Sequence, residues 1–203
     1  MIRVKICGIC DPRDAAGAAA AGADMLGFHF CPSKRLVTPE VAREVVDGLD
    51  VRPRIVGVFI DQDPIEVRQI AEFVGLDVLQ LHGSEAPGYE AGRPVMKVLK
   101  VREGHVPDAS AWPDPIMLDS WSDDQRGGTG RTWAWEAARD LISRRSVFVA
   151  GGLEPSNVGT VVSRFKPYGV DVSSGVESAV RVKDADKVRA FIQAVRSAEA
   201  LLR

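Results

Sequence analysis

The 203 residues carry 26 Lys and Arg against 28 Asp and Glu, which gives a formal net charge of -2 and a pI near 6.0. This balance provides no general attraction to nucleic acid or to an anionic membrane surface, so neither is expected as a partner. With 45% hydrophobic residues the chain can bury a sizeable core, yet no apolar run approaches the length of a membrane span.

The three cysteines are odd in number and lie close to the start of the chain, at Cys7, Cys10 and Cys31. They make a poor disulfide framework, which indicates a reducing compartment, and we expect a cytoplasmic protein. Cys7 and Cys10 have the spacing of a redox pair or of half a zinc site. Because no second Cys or His pair with ligand spacing follows, the sequence predicts no metal site.

Short apolar runs alternate with amphipathic stretches along the whole chain. Eight runs are predicted as strands: 4–7, 24–30, 54–60, 77–82, 94–101, 115–119, 146–152 and 169–175. Between them lie the helix-like stretches 12–21, 39–49, 64–74, 135–143, 155–165 and 184–198, several of which open with Asp, Thr or Glu before Pro. Strands and helices that alternate at this spacing predict βαβ units around a parallel sheet.

Eight such units in about 200 residues reach the lower size limit of a closed (β/α)8 TIM barrel, and a doubly wound open sheet is the main alternative. The count of eight favours the barrel, as do the polar residues at the carboxyl ends of the strands. Residues 102–114 are rich in Pro, Gly and Asp, so the fifth helix is expected to be short or missing. No linker interrupts the chain, and we expect residues 1–203 to form one α/β domain.

The first predicted strand ends at Cys7, and Gly8 follows it. A free cysteine is commonly a small buried hydrophobe, whereas a cysteine at the carboxyl end of a barrel strand points toward a site. From the residues alone, both interpretations stay open.

Two glycine-rich and serine-rich segments follow the last two predicted strands. They offer backbone N–H groups and hydroxyls, which favours a phosphate site over a pair of tight turns. The residues are Gly151, Gly152, Ser173, Ser174 and Gly175.

Seven motifs occur in register between residue 3 and about residue 196: KICG (5–8), PSKRLVTPE (32–40), GVF (57–59), LDVLQLHGSE (76–85), MLDS with GGTGRTWAWE (117–136), AGGLEPSNV (150–158) and YGVDVSSGVE (168–177). Together they resemble the phosphoribosylanthranilate isomerases of tryptophan biosynthesis. The resemblance implies an aldose-ketose isomerase without a cofactor, whose substrate is a small phosphosugar. It would convert N-(5'-phosphoribosyl)anthranilate into 1-(2-carboxyphenylamino)-1-deoxyribulose 5-phosphate by an Amadori rearrangement.

The resemblance also implies two catalytic side chains. Asp119 corresponds to the acid that protonates the ribose ring oxygen, and Cys7 corresponds to the base that removes the C2' proton as a thiolate. These roles require surroundings of Cys7 that favour the thiolate, and a carboxyl of Asp119 whose pKa is raised by burial.

Further side chains take binding roles by the same resemblance. Arg35 would face the anthranilate carboxylate, Gln80 and His82 would line the mouth of the site, and Asp171 would contact the sugar or amine. A mobile lid would contain Gly127, Gly128 and Gly130. Members of the family occur as monomers and as dimers, so either a monomer or a homodimer is expected.

The chain departs from the family pattern at three places: Cys10-Asp11, where a threonine is usual, Phe28-His29-Phe30-Cys31, where apolar residues are common, and Ser178 to Arg181, where Pro-Gly is usual. Three alternatives therefore stay open. One is an isomerase of related aminoaldose phosphates, although those enzymes carry an aspartate in place of Cys7. Another is a non-catalytic phosphosugar-binding relative, which would lose the base or the acid. The third is a thiol protein that uses the C-x-x-C pair.

Overall fold

Eight parallel strands close into a barrel in the computed structural model, which describes residues 1–102, 104–120 and 133–202. The strands follow chain order around the barrel: β1 (Arg3–Cys7), β2 (Met25–His29), β3 (Arg54–Phe59), β4 (Val78–Leu81), β5 (Val95–Val101), β6 (Ile116–Ser120), β7 (Val147–Ala150) and β8 (Gly169–Val172). Pairing of β1 with β8, in which Lys5 lies opposite Asp171, closes the ring. The predicted TIM barrel is confirmed, and the open-sheet alternative is wrong.

The helices on the outside of the barrel are α1 (Pro12–Ala20), α2 (Pro39–Asp47), α3 (Pro64–Val74), α4 (Trp133–Ala137), α5 (Arg139–Arg144), α6 (Val158–Phe165) and α7 (Ala185–Ala200). The first three begin where a polar N-cap precedes proline. The side chains of Asp11, Thr38 and Asp63 each accept a backbone N–H of the first turn. Asp11, one of the departures from the family pattern, is therefore the cap of α1.

Two predicted helices differ from the structure. The stretch 135–143 is split at Ala138 into α4 and α5, and α6 begins three residues later than predicted, at Val158. At the start of α6 the Asn157 side chain accepts the N–H of Glu154 at 2.9 Å and donates to the carbonyl of Gly152 at 2.8 Å. These bonds form a turn where the helix was expected to start.

No helix follows β4 or β5 in the part of the chain that the structure describes. The missing fifth helix confirms the prediction. No helix-like stretch was predicted between residues 82 and 94 either, although only the fifth helix was expected to be short or missing. Both connections are unsuited to helices, since residues 82–94 contain three glycines and two prolines and residues 104–114 contain two further prolines.

Lys97 fills part of the space that these helices would cover. It alternates with the inward residues of β5, so it points away from the barrel interior. Its Nζ donates to the carbonyl of Gly83 and to Glu85 Oε2, both at 2.6 Å, and lies 5.1 Å from the centre of the Trp112 ring. A buried ion pair and an indole ring thus cover the outside of β5.

The barrel interior is apolar toward the amino ends of the strands and polar toward their carboxyl ends. The apolar part consists of Met25, Val56, Val78, Met96, Val98, Met117 and Phe148, and Ala150 extends it to the carboxyl end of β7. Inward positions near the other end carry Lys5, Cys7, His29, Gln80, Asp119 and Asp171. Among the described residues, no helix is long and apolar enough to cross a membrane.

Candidate active site

Strand β1 brings Cys7 to the carboxyl end of the barrel, where its side chain is buried at 4% exposure. Gly8 turns the chain away with a φ of +74°, which favours glycine. A Cβ at this position would also overlap the Arg35 side chain. Glycine after Cys7 is therefore required both by the backbone turn and by the close approach of Arg35.

Three polar groups surround the Cys7 sulfur. His29 Nε2 lies 3.3 Å from Sγ, and the fully buried Lys5 approaches from the same inward face of β1 while donating to Asp171 Oδ1 at 2.7 Å. Burial raises the pKa of the Cys7 thiol, although the Lys5 ammonium opposes this rise. The surroundings therefore favour the thiol, whereas a role as base would require a thiolate.

Asp119 occupies the carboxyl end of β6, opposite Lys100 of β5 and Ala150 of β7. Burial raises its pKa from 3.8 to about 6, and the nearby Asp171 carboxylate adds to the rise, while Lys100 opposes it. The carboxyl of Asp119 therefore holds its proton at a much higher pH than an ordinary aspartic acid, as the sequence-based expectation for an acid requires.

Gln80 and His82 lie together at the end of β4, as expected for residues that line the mouth. Gln80 Nε2 donates to His82 Nε2 at 2.6 Å. Burial lowers the pKa of His82 to about 4, so its imidazole is neutral at physiological pH. Gln80 Oε1 is buried and accepts no hydrogen bond from the residues that the structure describes.

Arg35 forms a two-pronged ion pair with Glu177, in which its Nε and Nη2 donate at 2.7 and 2.6 Å. Lys183 Nζ also donates to Glu177 Oε1 at 3.0 Å and to the carbonyl of Ser173 at 3.1 Å. Burial alone raises the pKa of Glu177, but Arg35 and Lys183 outweigh it and hold that pKa below its usual range. One edge of the Arg35 fork is thereby fixed by a protein carboxylate.

The loops after β7 and β8 contact each other closely. Gly151 and Gly152 adopt φ values of +87° and +67°, and a Cβ on Gly175 would overlap the carbonyl oxygen of Leu153. The hydroxyl of Ser173 is buried without a hydrogen-bond partner among the described residues. Ser174 and Gly175 begin a single 3-10 turn, Ser174–Val176. The five residues predicted to bind phosphate therefore lie in two adjacent loops.

Four charged or titratable residues of this region received no role from the sequence: Lys5, His29, Glu177 and Lys183. The alternation of side chains along a strand could have shown that Lys5 and His29 point inward. Lys5 is two residues before the inward Cys7, and His29 is two residues after the inward Gly27. The predicted lid residues Gly127, Gly128 and Gly130 lie outside the described residues. Within the described ranges, no group of three or more His, Cys, Asp or Glu is arranged to hold a metal ion.

Comparisons with known proteins identify the family. The family model described as "N-(5'phosphoribosyl)anthranilate (PRA) isomerase" matches residues 4–194. The N-(5'-phosphoribosyl)anthranilate isomerase of Pelobacter propionicus is 44% identical over 198 residues, which cover 95% of both chains.

Two solved structures support this assignment. Monomers of the dimeric phosphoribosylanthranilate isomerase of Thermotoga maritima match with a TM-score of 0.82 and 33% identity, over 97% of this chain and 100% of that one. A phosphoribosyl anthranilate isomerase in complex with reduced 1-(o-carboxyphenylamino)-1-deoxyribulose 5-phosphate matches with a TM-score of 0.81 and 32% identity. This match also covers 97% of this chain and 100% of that one. The chain belongs to the N-(5'-phosphoribosyl)anthranilate isomerase family, and it catalyses this aldose-ketose isomerisation in tryptophan biosynthesis.

Proposed function

We propose that Asp119 is the general acid and Cys7 the general base of the isomerisation. The observation that carries this proposal is the position of both side chains at inward strand ends of one barrel mouth, with the pKa of Asp119 raised to about 6. The rearrangement needs a proton donor for the ring oxygen and a base for the C2' hydrogen, and a protonated carboxyl and a sulfur can supply these two functions.

The reaction begins at the ribose ring oxygen. Asp119 gives its proton to this oxygen as the bond to C1' breaks, and the lone pair of the anthranilate nitrogen forms an iminium. The positive iminium makes the C2' hydrogen acidic, and the Cys7 sulfur removes it as a thiolate, which leaves an enolamine and a Cys7 thiol. This thiol then protonates C1', and the C2' hydroxyl gives its proton to the Asp119 carboxylate, so the ketone forms and both side chains return to their starting states.

The substrate would be held at both ends. The phosphate would bind the backbone N–H groups of Gly151, Gly152 and Gly175 with the hydroxyls of Ser173 and Ser174, a role supported by the buried, unpartnered Ser173 hydroxyl.

The anthranilate carboxylate would meet Arg35, whose Nη1 edge is not engaged by the two bonds to Glu177. Gln80 and His82 would line the mouth. The Asp171 carboxylate, held on one oxygen by Lys5, would contact the sugar or the amine.

The proposal extends to the domain, the cellular location and the oligomeric state of the protein. Residues 1–203 would form one catalytic domain, and the protein would act in the cytoplasm, since its three cysteines are free thiols. It would be a monomer or a homodimer, as the related Thermotoga maritima enzyme has been described both as a dimer and as generated monomers.

The test is the decay of anthranilate fluorescence with freshly generated phosphoribosylanthranilate. Cys7→Ala and Asp119→Asn are each expected to lower turnover by about a hundredfold or more, because each removes a proton-transfer group. Cys10→Ser is the matched control, since the Cys10 sulfur contacts only the carbonyls of Gly8 and Arg35 in the bonds that the structure describes. Near-wild-type turnover of either variant would show that its assigned role is wrong.

A further inference from the structure

A chain of hydrogen bonds leads away from the proposed base. The Cys7 sulfur lies 3.3 Å from His29 Nε2, and His29 Nδ1 lies 2.9 Å from the hydroxyl oxygen of Ser33. The same Ser33 oxygen accepts the backbone N–H of Arg35 at 2.9 Å. The order Cys, His, Ser thus places an imidazole between the sulfur and a fixed hydroxyl.

These contacts fit the tautomer of His29 that carries its proton on Nδ1. The Ser33 oxygen has two lone pairs, of which one accepts the N–H of Arg35, so the other is available for an N–H at Nδ1 of His29. With the proton on Nδ1, the lone pair of Nε2 faces the Cys7 sulfur. Since the surroundings keep Cys7 protonated, this lone pair is the acceptor for the S–H group.

We propose that His29 is a positioning residue that accepts the thiol proton of Cys7 while the sulfur removes the C2' proton of the substrate, and that Ser33 holds the imidazole in the required tautomer. This inference rests on the proposed role of Cys7 as the base.

The step balances in protons and charge. The S–H bond breaks as an N–H bond forms at Nε2, and the C2'–H bond breaks as a new S–H bond forms. The electron pair of the C2'–H bond makes the C1'–C2' double bond, and the iminium π electrons return to nitrogen. The positive charge of the iminium therefore passes to the His29 imidazolium. When sulfur later delivers its proton to C1', the imidazolium gives its proton back to sulfur.

The charged groups around the pair help to keep it neutral in the absence of substrate. Lys5 of β1 and Asp171 of β8 face the sulfur and the imidazole, Arg35 and Lys183 lie on the side of the β8 loop, and His82 approaches from β4. Burial lowers the pKa of His29 to about 4, and the three cations add to this effect, while Asp171 opposes it. The resting pair is a thiol and a neutral imidazole, and Lys5 stabilises the sulfur once its proton has left.

The first experiment measures the single-turnover rate of isomerisation against pH for His29→Leu and His29→Gln. Both are expected to lower the rate near pH 7 by about tenfold or more while the KM stays close to the wild-type value, because the substrate contacts remain. The deficit is expected to shrink as the pH rises toward the range in which the thiolate forms without help. His105→Leu and His105→Gln are matched controls, since His105 is exposed.

The second experiment follows alkylation of Cys7 by iodoacetamide, read at that residue by mass spectrometry. The rate near pH 7 is expected to fall about tenfold in both His29 variants, and to equal the wild-type rate at high pH. Ser33→Ala is expected to show a smaller loss of the same kind. It also provides a test of the hydrogen-bond chain if neither His29 variant folds, which circular dichroism would show.

The outcomes separate the two proposals. If Cys7→Ala keeps its turnover, the role of Cys7 as base is wrong. If Cys7→Ala is inactive but the His29 and Ser33 variants match the wild type in pH profile and in alkylation rate, the base stands and the role of His29 is overturned.

Discussion

Replacing Asp119 by asparagine is expected to stabilise the protein while it removes activity. The rise in the pKa of Asp119 from 3.8 to about 6 comes first from burial, which penalises the ionised carboxylate of the folded state. At about 1.4 kcal/mol per pH unit, this rise corresponds to a penalty on the order of 3 kcal/mol. Asparagine is neutral at every pH, so the variant escapes this penalty.

The raised pKa of Asp119 determines whether Asp119→Asn stabilises the protein and over which pH range it does so. Below pH about 4 the carboxyl is protonated in both the folded and the unfolded state, so it contributes no difference. As the pH rises through about 4 to 6, the unfolded state loses its proton first, and the folded protein loses stability. Above pH about 6 the full penalty applies, and the advantage of Asp119→Asn should reach its maximum.

Urea and thermal unfolding at several pH values provide the measurement. At pH 8 the variant should melt about 6–12 °C above the wild type, if each kcal/mol raises the Tm of a domain of this size by about 2–4 °C. Asp50→Asn is the matched control at an exposed aspartate, where a change below about 0.5 kcal/mol is expected. An unchanged Tm at pH 8, or a gain that persists at pH 4, would refute burial as the cause of the raised pKa.

Two further predictions concern contacts outside the reacting groups. Gly175→Ala should weaken protection by inorganic phosphate in thermal unfolding, because its Cβ would displace the carbonyl of Leu153; phosphate protection equal to that of the wild type would contradict this. Lys97→Met should destabilise the protein by about 3–5 kcal/mol in urea unfolding, because it leaves the Glu85 carboxylate, 2% exposed, without its cation. The double variant with Glu85→Gln should lose clearly less than the two single losses added together, and full additivity would show that the pair is not coupled.

Most of the fold could be predicted from the sequence because its signals are local. Short apolar runs mark the strands, and an Asp or Thr before Pro marks the start of α1, α2 and α3. The glycines and prolines of residues 82–94 are a local signal against a fourth helix, but what packs there in its place depends on distant residues. Lys97 reaches back to Glu85 and out to Trp112, and no short window of sequence shows that these three meet.

In the candidate site, too, some residues could be predicted from the sequence and others could not. Cys7, Asp119 and Asp171 occupy strand positions whose inward direction follows from the period of two. The partners of Arg35 could not be predicted, since Glu177 lies 142 residues away along the chain. His29 was visible as an inward strand position and as a departure from a family pattern, but its contact with Cys7 appears only when β1 and β2 are paired in register.

The titratable groups at the barrel mouth share one physical condition, which is burial. It raises the pKa values of Asp119 and Cys7 and lowers those of His29 and His82, so each group is driven toward its neutral form. For an acid this is an advantage, because the neutral form of Asp119 carries the proton that the ring oxygen needs. For a thiol base it is an obstacle, because the neutral form of Cys7 is the unreactive one. A proton acceptor in contact with the sulfur removes this obstacle only if it is itself neutral, which is the state that burial gives His29. Burial therefore keeps the acid protonated and leaves the imidazole of His29 free to accept, but it also makes that imidazole a weak base, so the thiol proton moves to His29 only as the sulfur takes the C2' proton.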